Sequence, residues 1–269
     1  MPHMRSIKHI TYIGCLLLTA ATMVSEQATA ATADSVSVTA GAGVVSSYMW
    51  RGTEQAGLSL QADASVEWKG AALSFSANNP MHKGETKEIV LRLEYRRWGA
   101  NIGLIDYWHS GIDKKDRFFK YGKDDGPHKL ELNAGYTHRW FSVQAYLCFF
   151  GNDFRPSLTE PQRAYSTYIE LCVPWQFRHG LKVEGMLGIC PWKSAGHYYG
   201  ELVEENGKAR PVITAEYLYA GRFSAVKAAV RVTKDISLPA GLQLPVFAEL
   251  HANPYMQTAN VSCGAAVRF

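Results

Sequence analysis

The chain ends on Ala259-Asn260-Val261-Ser262-Cys263-Gly264-Ala265-Ala266-Val267-Arg268-Phe269, and this stretch decides the fold. Every second residue from Ala259 to Phe269 is apolar, and the residues between them are small or polar. Successive side chains of a β-strand point to opposite faces, so this strand has one apolar face and one polar face. The same alternation recurs along the rest of the chain, which indicates a sheet built from many such strands.

The segment 58–68 shows the pattern clearly. Apolar residues occupy the even positions from Leu58 to Trp68, and the odd positions between them include Asp63 and Glu67. Similar runs occur near 36–44, 73–78, 89–96, 130–137, 181–189, 226–233 and 242–251. Noisier runs lie near 100–109, 142–150 and 164–177. Together with the last strand they predict about twelve strands.

The connections between the predicted strands alternate between short and long. Short turns fall near Lys69-Gly70, Gly99, Phe141, His179-Gly180 and Pro239-Gly241. Longer polar segments lie between them, at 49–57, 80–86, 110–127, 151–163 and 191–221. Such alternation is typical of an antiparallel up-and-down transmembrane β-barrel with short periplasmic turns and longer external loops. The sequence therefore predicts an all-β barrel of this class.

Aromatic residues cluster at the ends of the predicted strands. Those beside the short turns are Trp68, Trp98, Trp140, Phe141, Trp175 and Phe177. Those at the opposite ends are Tyr48, Trp50, Tyr107, Trp108, Phe149 and Phe150. Membrane barrels carry aromatic girdles at both interfaces, so we expect the two sets to form a lower and an upper girdle.

The start of the chain is typical of a secretory signal peptide. Arg5 and Lys8 precede an apolar stretch, and Ala28-Thr29-Ala30 supplies a cleavage site, with a second site after Ala33. We therefore expect residues 1–30 to be cleaved and residues 31–269 to form a single barrel domain. No later apolar stretch reaches the ~20 residues of a membrane helix, which excludes a helical membrane protein.

A soluble periplasmic barrel or sandwich is the main alternative fold. It would show the same alternation, with its large apolar residues inside and its charges outside. Twelve strands of about ten residues, together with a secretion signal, favour the membrane barrel. The formal net charge of +4 is too small to indicate a nucleic-acid partner. No HExxH, GxSxG or phosphate-binding loop occurs, and we predict neither a cofactor nor a metal site.

The segment Ser46-Ser47-Tyr48-Met49-Trp50-Arg51-Gly52 resembles the start of a poorly characterised bacterial family of outer-membrane proteins. In that family the first strand ends in a Tyr-x-Trp/Phe-Arg-Gly motif. The closing stretch from Ser237 to Pro254 also resembles members from Bacteroidetes-type bacteria. The resemblance covers the two ends of the mature chain. It implies a barrel in the outer membrane and no particular substrate.

The aromatic terminus at Phe269 resembles the terminal signal of Gram-negative outer-membrane barrels. This resemblance implies that the cell outer membrane is the location. It also implies that the barrel-assembly machinery recognises the last strand, and that outer-membrane lipid and lipopolysaccharide surround the protein.

The motif Tyr48, Trp50, Arg51 and Gly52 also has a physical interpretation. Gly52 allows a sharp turn, and Arg51 has several N–H groups that suit carboxylates in the lumen or phosphates of lipopolysaccharide. A purely structural role, in which these residues fix the corner between strand and loop, is the alternative.

The polar face of the predicted strands carries charges of both signs. Isolated ions inside a narrow barrel are costly, so these charges must be paired or hydrated. The predicted lumen-lining residues are Asp63, Glu67, Arg92, Glu94, Arg96, Glu131, Arg139, Glu170, Lys182, Glu184, Lys227, Arg231, Glu249 and His251.

Three functions fit this pattern. The leading prediction is a narrow, porin-like channel for small solutes, since twelve strands lie between filled barrels of eight and open porins of sixteen. A non-conducting structural or surface-binding barrel is the alternative, and the segment 191–221 is the expected plug or lid. The third is an outer-membrane lipid-modifying enzyme using His109 and Ser110, although the run His109-Ser110-Gly111 departs from the His-x-Ser-Asn-Gly pattern of known outer-membrane phospholipases.

Overall fold

The structure is a computed structural model that describes residues 35–110, 117–122, 126–157, 161–205, 208–237 and 243–268. The predicted signal peptide, 1–30, and the terminal Phe269 lie outside these ranges. Within them the chain is built from β-strands, and the helical part is a single 3-10 turn at Arg178–Gly180. None of the helical structure in these ranges is long and apolar enough to cross a membrane.

Sixteen strands occur in the described residues. In chain order they are β1 Ser37–Val45, β2 Tyr48–Trp50, β3 Thr53–Ala56, β4 Ser59–Trp68, β5 Ala71–Pro80, β6 Glu88–Arg97, β7 Ala100–His109, β8 His128–His138, β9 Phe141–Phe150, β10 Thr167–Gln176, β11 Leu181–Cys190, β12 Gly196–Glu205, β13 Lys208–Tyr217, β14 Ser224–Ser237, β15 Gln243–Asn253 and β16 Thr258–Arg268.

Twelve of these strands close into one antiparallel barrel, in the order β1-β4-β5-β6-β7-β8-β9-β10-β11-β14-β15-β16. The barrel closes where Gly41–Val45 of β1 pair with Gly264–Arg268 of β16. The other four strands form two separate hairpins, β2–β3 and β12–β13. Each barrel strand pairs with the next barrel strand along the chain, so the predicted up-and-down barrel of twelve strands is confirmed.

Side chains on the barrel strands alternate between the outer surface and the interior. On β8, Leu132 is 48% exposed on the outer face, while the neighbouring Glu131 is fully buried inside. The outer faces of other strands expose Leu60, Val66, Leu73, Leu93, Ile102, Leu104, Val230, Leu250 and Val261. The apolar face therefore points outward, opposite to what the soluble alternative requires.

At one end of the barrel, tight turns connect neighbouring strands. Lys69-Gly70 and Trp98-Gly99 each place two consecutive residues at positive φ, with values of 51° and 85° and of 53° and 81°. This is the geometry of type I′ turns, whose twist matches that of the flanking strands. The longer connections lie at the opposite end, and β1 starts and β16 ends at the tight-turn end. The predicted alternation of short and long connections is confirmed.

Exposed aromatic side chains lie at the tight-turn end, where the lower girdle is predicted. They are Trp68, Trp98, Trp140, Phe141, Trp175 and Phe177. These rings occupy the outer face or the turns, so they are available to a surrounding interface.

The predicted upper girdle differs from the structure at three positions. Tyr48, Trp50 and Tyr107 are buried inside the barrel and do not face outward. Tyr107 lies on the interior side of β7, two residues beyond the buried Ile105. Tyr48 and Trp50 belong to the β2–β3 hairpin, which turns inward after β1 ends. Position at a strand end does not by itself determine which face a ring occupies.

We expect Leu104→Arg to destabilise the folded barrel by about 2–4 kcal/mol in a lipid bilayer, because it places a charge on the apolar outer face near the middle of β7. Ala100→Arg lies on the same face of the same strand at the tight-turn end, where the expected loss is about 0–1 kcal/mol. Denaturant titration of both variants in phosphatidylcholine vesicles measures the free energy of unfolding. Equal losses would show that this face does not meet hydrocarbon.

Candidate functional site

The Tyr48-x-Trp50-Arg51-Gly52 segment forms the tip of the β2–β3 hairpin, which enters the lumen from the long-connection end. Arg51 and Gly52 sit between the two strands at φ 45° and 88°. A Cβ on residue 52 would lie 1.9 Å from the carbonyl oxygen of Val226, so only glycine lets the tip approach β14 this closely. The segment therefore does more than fix a corner between strand and loop.

Arg51 forms a buried bidentate ion pair with Glu131. The Nη1–Oε1 distance is 2.9 Å and the Nη2–Oε2 distance is 2.7 Å. The two side chains are 2% and 0% exposed. Tyr107 donates a hydrogen bond of 3.1 Å to Oε2 of Glu131, which satisfies the carboxylate further. The sequence suggests two kinds of partner for Arg51, a carboxylate in the lumen or a phosphate of lipopolysaccharide. The structure places a lumen carboxylate, that of Glu131, beside it.

Four aromatic rings surround the guanidinium of Arg51. Its Cζ lies 4.6 Å from the ring centroid of Trp50, 4.4 Å from that of Tyr146, 4.9 Å from that of Tyr168 and 5.5 Å from that of Tyr219. Cations at these distances from aromatic faces are stabilised by the ring quadrupole. We call Arg51, Glu131 and these four rings the arginine clamp.

Tyr219 reaches the arginine clamp from the segment 191–221. Nη1 of Arg51 donates to the Tyr219 hydroxyl, and the rings of Trp50 and Tyr219 lie 5.3 Å apart. The backbone at Tyr219, two residues after the end of β13, is held by Ser194, whose hydroxyl accepts hydrogen bonds of 3.0 Å and 3.2 Å from the amides of Tyr219 and Ala220. The base of this segment thus contributes to closing the lumen.

The β12–β13 hairpin, which forms most of that segment, pairs with itself. Its described backbone is paired from Gly196 with Tyr217 to Glu205 with Lys208, and neither strand joins the barrel sheet. The prediction that 191–221 is the plug or lid therefore applies to its base around Tyr219. The β2–β3 hairpin supplies the part of the plug that the sequence did not indicate.

A second buried cluster, around Glu88, lies at the same end of the lumen. Tyr48 donates a hydrogen bond of 2.8 Å to Oε1 of Glu88, and Nε2 of His109 shares one of 3.0 Å with Oε2. Ser110 Oγ accepts a 3.0 Å hydrogen bond from the amide of Lys87. His109 and Ser110 thus have separate partners, and the geometry does not assemble the pair that the enzyme alternative requires.

Tyr121, in the connection between β7 and β8, covers the ring of His128 at the start of β8. The two rings stack with their centroids 3.9 Å apart, and the Tyr121 hydroxyl donates a 2.7 Å hydrogen bond to Asp106. Partial burial and this hydrogen bond raise the pKa of Tyr121 to about 12. His128 Nδ1 shares a 2.9 Å contact with the other oxygen of Asp106, and its Nε2 contacts the carbonyl of Phe118. Both ring nitrogens of His128 are thus engaged by oxygen atoms of neighbouring residues.

The predicted lumen charges form ion pairs below the arginine clamp. Glu94 contacts Arg92 at 3.9 Å and is paired with Arg96. Arg96 also lies 3.5 Å from Glu67. On the opposite wall the pairs are Lys182–Glu184 at 2.9 Å, Lys227–Glu170 at 3.0 Å and Arg231–Glu249 at 2.6 Å. Opposite charges are thus paired both within a strand, as in Lys182–Glu184, and between strands, as in Arg231–Glu249, and such pairing is what charges in a narrow barrel require.

The remaining predicted lining residues are Asp63, His251 and Arg139. Asp63 lies on the interior side of β4, with an oxygen 2.7 Å from where a Cβ of Gly41 would be. His251 is buried on β15. Arg139 differs from the prediction, because it lies exposed in the turn between β8 and β9, with its guanidinium 4.8 Å from the Trp140 ring centroid. The strand ends one residue before Arg139, so the interior alternation does not reach it.

Exposure of the lumen side chains decreases from the tight-turn end towards the clamp. Glu67 and Arg96 are 42% and 38% exposed, whereas Glu94 is buried. The lumen is therefore an open vestibule at one end and closed at the other. Among the residues that the structure describes, no group of three or more His, Cys, Asp or Glu side chains is placed to hold a metal ion.

The sequence did not single out Tyr107, Tyr146 and Tyr168 as members of the site. All three lie on interior positions of their strands and are buried. Large rings on the otherwise polar face of a strand are the signal that identifies them. The alternation near 142–150 and 164–177 is too irregular to assign that face from the sequence.

Distant similarity to solved outer-membrane barrels accompanies this geometry. A NanC porin structure has a TM-score of 0.43 and 7% identity, covering 87% of this chain and 99% of that chain. OmpF of Salmonella typhi in complex with daunomycin has a TM-score of 0.34 and 8% identity, covering 88% and 98%. The β domain of the Bordetella autotransporter BrkA has a TM-score of 0.30 and 12% identity, covering 88% and 99%. No protein-family model and no curated protein matches the chain.

We expect Arg51→Ala to destabilise the barrel by about 3–5 kcal/mol, because it leaves the Glu131 carboxylate buried without its cation. The double variant Arg51→Met/Glu131→Gln should recover much of this loss, since no charge remains unpaired. Arg139→Ala is the matched control and should cost less than about 1 kcal/mol, since its contact is exposed. Denaturant unfolding in detergent micelles gives the three values. If Arg51→Ala lowered the free energy of unfolding no more than Arg139→Ala does, the ion pair would not be what stabilises the clamp.

Proposed function

We propose that this protein is an outer-membrane β-barrel that is closed to solutes in its folded state. The arginine clamp carries this proposal, because it fills the lumen at the end that would face the cell exterior. The vestibule below it opens at the tight-turn end, which would face the periplasm. This is the non-conducting barrel among the functions that the sequence allows.

The outer surface supports the membrane location. Large apolar side chains are exposed on nearly every barrel strand, and most charged residues of the same strands, such as Glu94 and Arg231, point into the lumen. An apolar surface that encircles a barrel is unfavourable in water and favourable in hydrocarbon. Closure of the sheet leaves no unpaired edge, which is the condition for strands to cross a bilayer. The predicted signal peptide is consistent with export to that membrane.

The filling of the lumen supports a closed state. A continuous buried cluster includes Tyr48, Trp50, Tyr107, Tyr146, Tyr168 and Tyr219. These rings come from the β2–β3 hairpin, from the walls β7, β9 and β10, and from the base of the β12–β13 segment. The cluster therefore joins the hairpin and the residues after β13 to three strands of the barrel wall.

A narrow channel remains the second candidate function, and the vestibule favours it. Charges of both signs line the lumen from Glu67 and Arg96 up to the Lys227–Glu170 pair next to the clamp. If the β2–β3 hairpin moved out of the lumen, this polar lining would continue towards the other end. The protein would then be a channel whose closed state is the one described here.

The partners that the sequence implies remain part of the proposal. The long-connection end carries exposed cations at Lys83, Lys87, Arg117, Arg155 and Arg222. Such side chains suit the phosphates of lipopolysaccharide if this end faces the cell exterior. Recognition of the last strand by the barrel-assembly machinery would precede this contact.

Single-channel recording in planar bilayers tests the closed state. We expect the folded wild-type protein to show no conductance steps, because the clamp blocks the lumen. Replacing residues 48–56 by a Gly/Ser linker of equal length should produce steps, since it removes Trp50 and Arg51 from the lumen. Shortening the β12–β13 hairpin by removing 197–216 is the matched control and should leave the barrel closed, because Tyr219 remains.

Each outcome separates the two candidates. Steady conductance by the wild-type protein would contradict the closed state and favour an open channel. A linker variant that is folded, as judged by heat-modifiable gel mobility, and that still does not conduct would show that the β2–β3 hairpin is not what seals the lumen.

A further inference from the structure

An apolar groove of about 500 Å³ runs across the outer face of the barrel, over strands β10, β11, β14 and β15. Small residues form its floor and larger ones form its ridges: Gly185, Ala228 and Ala252 below, and Leu171, Trp175 and Leu250 above. We propose that this groove binds one acyl chain of a phospholipid from the periplasmic leaflet, whose phosphate contacts Arg178 and Lys234. The site depends on the proposed membrane location, and it is separate from the closed lumen.

Small residues on adjacent strands create the groove. Ala228 of β14 lies opposite Ala252 of β15, and Gly185 of β11 lies opposite Val230 of β14. The ring of Trp175 leans over Gly185, where a Cβ would lie 3.2 Å and 3.3 Å from two ring atoms. A larger side chain at any of the three small residues would therefore fill the groove or displace the ring.

The shape of the groove favours an acyl chain over a second copy of this protein. Leu171, Leu187 and Leu250 are exposed and stand above the floor. A second barrel wall resting on these ridges would leave the floor empty, and such a void loses packing contacts. A flexible chain follows the floor instead. A methylene group is about as large as a water molecule, whose share of liquid volume is ~30 Å³, so the groove has room for roughly sixteen of them.

The height of the groove matches one leaflet of a bilayer. On β10 the groove extends from Leu171 to Trp175, and Phe177 follows the strand at the tight-turn end. The chain from Leu171 to Phe177 spans roughly 20 Å, which a strand tilt of ~40° reduces to about 15 Å of membrane thickness. This is half of the ~30 Å hydrocarbon core. The exposed rings of Trp175 and Phe177 suit the interface, so an acyl chain that enters beside them ends near the midplane.

Two cations lie where the phosphate of such a lipid would be. Arg178 is exposed in the turn between β10 and β11, and Lys234 is exposed on the outer face of β14. The Lys234 amino group donates a hydrogen bond to the carbonyl of His179 in that turn, which places it near Arg178. Asp235, the next residue along β14, points to the opposite face. Neither cation has an ion-pair partner among the described residues, so both are available to a phosphodiester.

Native mass spectrometry counts the phospholipids that stay bound to the wild-type barrel. The protein is refolded in maltoside micelles and titrated with palmitoyl-oleoyl phosphatidylglycerol, and we expect one molecule to be retained before any other. Dihexanoyl phosphatidylglycerol has chains too short to fill the groove, and palmitoyl-oleoyl glycerol has no phosphate. Each of these two lipids should bind about tenfold more weakly or worse, because each loses one of the two contacts.

Variants test the groove and the cations separately. Ala228→Leu fills the floor and should weaken retention about tenfold or more, whereas Ala64→Leu, on the exposed outer face of β4, is the matched control and should bind as wild type does. Arg178→Gln/Lys234→Gln should also weaken retention. Its control is Lys69→Gln/Arg97→Gln, which removes two exposed cations at the same end of the barrel from other strands.

Three results would overturn the proposal. Several phospholipids bound without a distinct first one would show ordinary contact with surrounding lipid. Unchanged retention by the folded Ala228→Leu variant would place the lipid elsewhere, and dimers that this variant abolishes would identify a second copy as the occupant.

The comparison of lipids on the wild-type protein decides the matter even if Ala228→Leu does not fold, since equal retention of all three lipids would also overturn the site. Folding into phosphatidylcholine vesicles separates this inference from the proposed function. A barrel that does not insert contradicts the membrane location itself, whereas one that inserts and retains no phospholipid contradicts the lipid site alone.

Discussion

The buried ion pair between Arg51 and Glu131 is the interaction that organises the lumen. It joins the tip of the β2–β3 hairpin to the wall of β8, and the rings that surround Arg51 come from β9, β10 and the residues after β13. A buried charge is tolerated only when its hydrogen bonds and its counter-charge are both present. The positions of the β2–β3 hairpin, of Tyr219 and of the barrel wall at Glu131 therefore depend on one another.

The barrel around this pair follows from the alternation of side chains in a closed sheet. Small residues and charges point inward, where hydrogen bonds and ion pairs satisfy them, and leucines and valines point outward. The polar side chains of the interior find their partners on the same strand or on nearby strands. Glu94 of β6, for example, contacts Arg92 on its own strand, Asn101 on β7 and Asn133 on β8. The result is a rigid polar interior inside an apolar surface, which suits a lipid environment and not water.

The sequence predicts the barrel because its signals are local and repeated. Strand number, outward leucines and type I′ turns such as Trp98-Gly99 follow from neighbouring residues alone. The clamp is not predictable in this way. Arg51 meets Glu131 and Tyr219 across eighty and more residues of chain, and only the inward fold of the β2–β3 hairpin creates that contact. Arg139 differs from the prediction for a local reason, because β8 ends at His138 and the alternation of the strand stops there.

The seam between β1 and β16 has a consequence for biogenesis. It unites the first and last strands, and it is shorter than its neighbour: Gly41–Val45 meet β16, whereas all of β1 from Ser37 to Val45 meets β4. Until Gly264–Arg268 arrive, a growing sheet has two unpaired edges, which readily associate with other chains. Pairing of β1 with β16 is therefore the step that protects the sheet, because a barrel that has not yet closed exposes both of its edges to other chains.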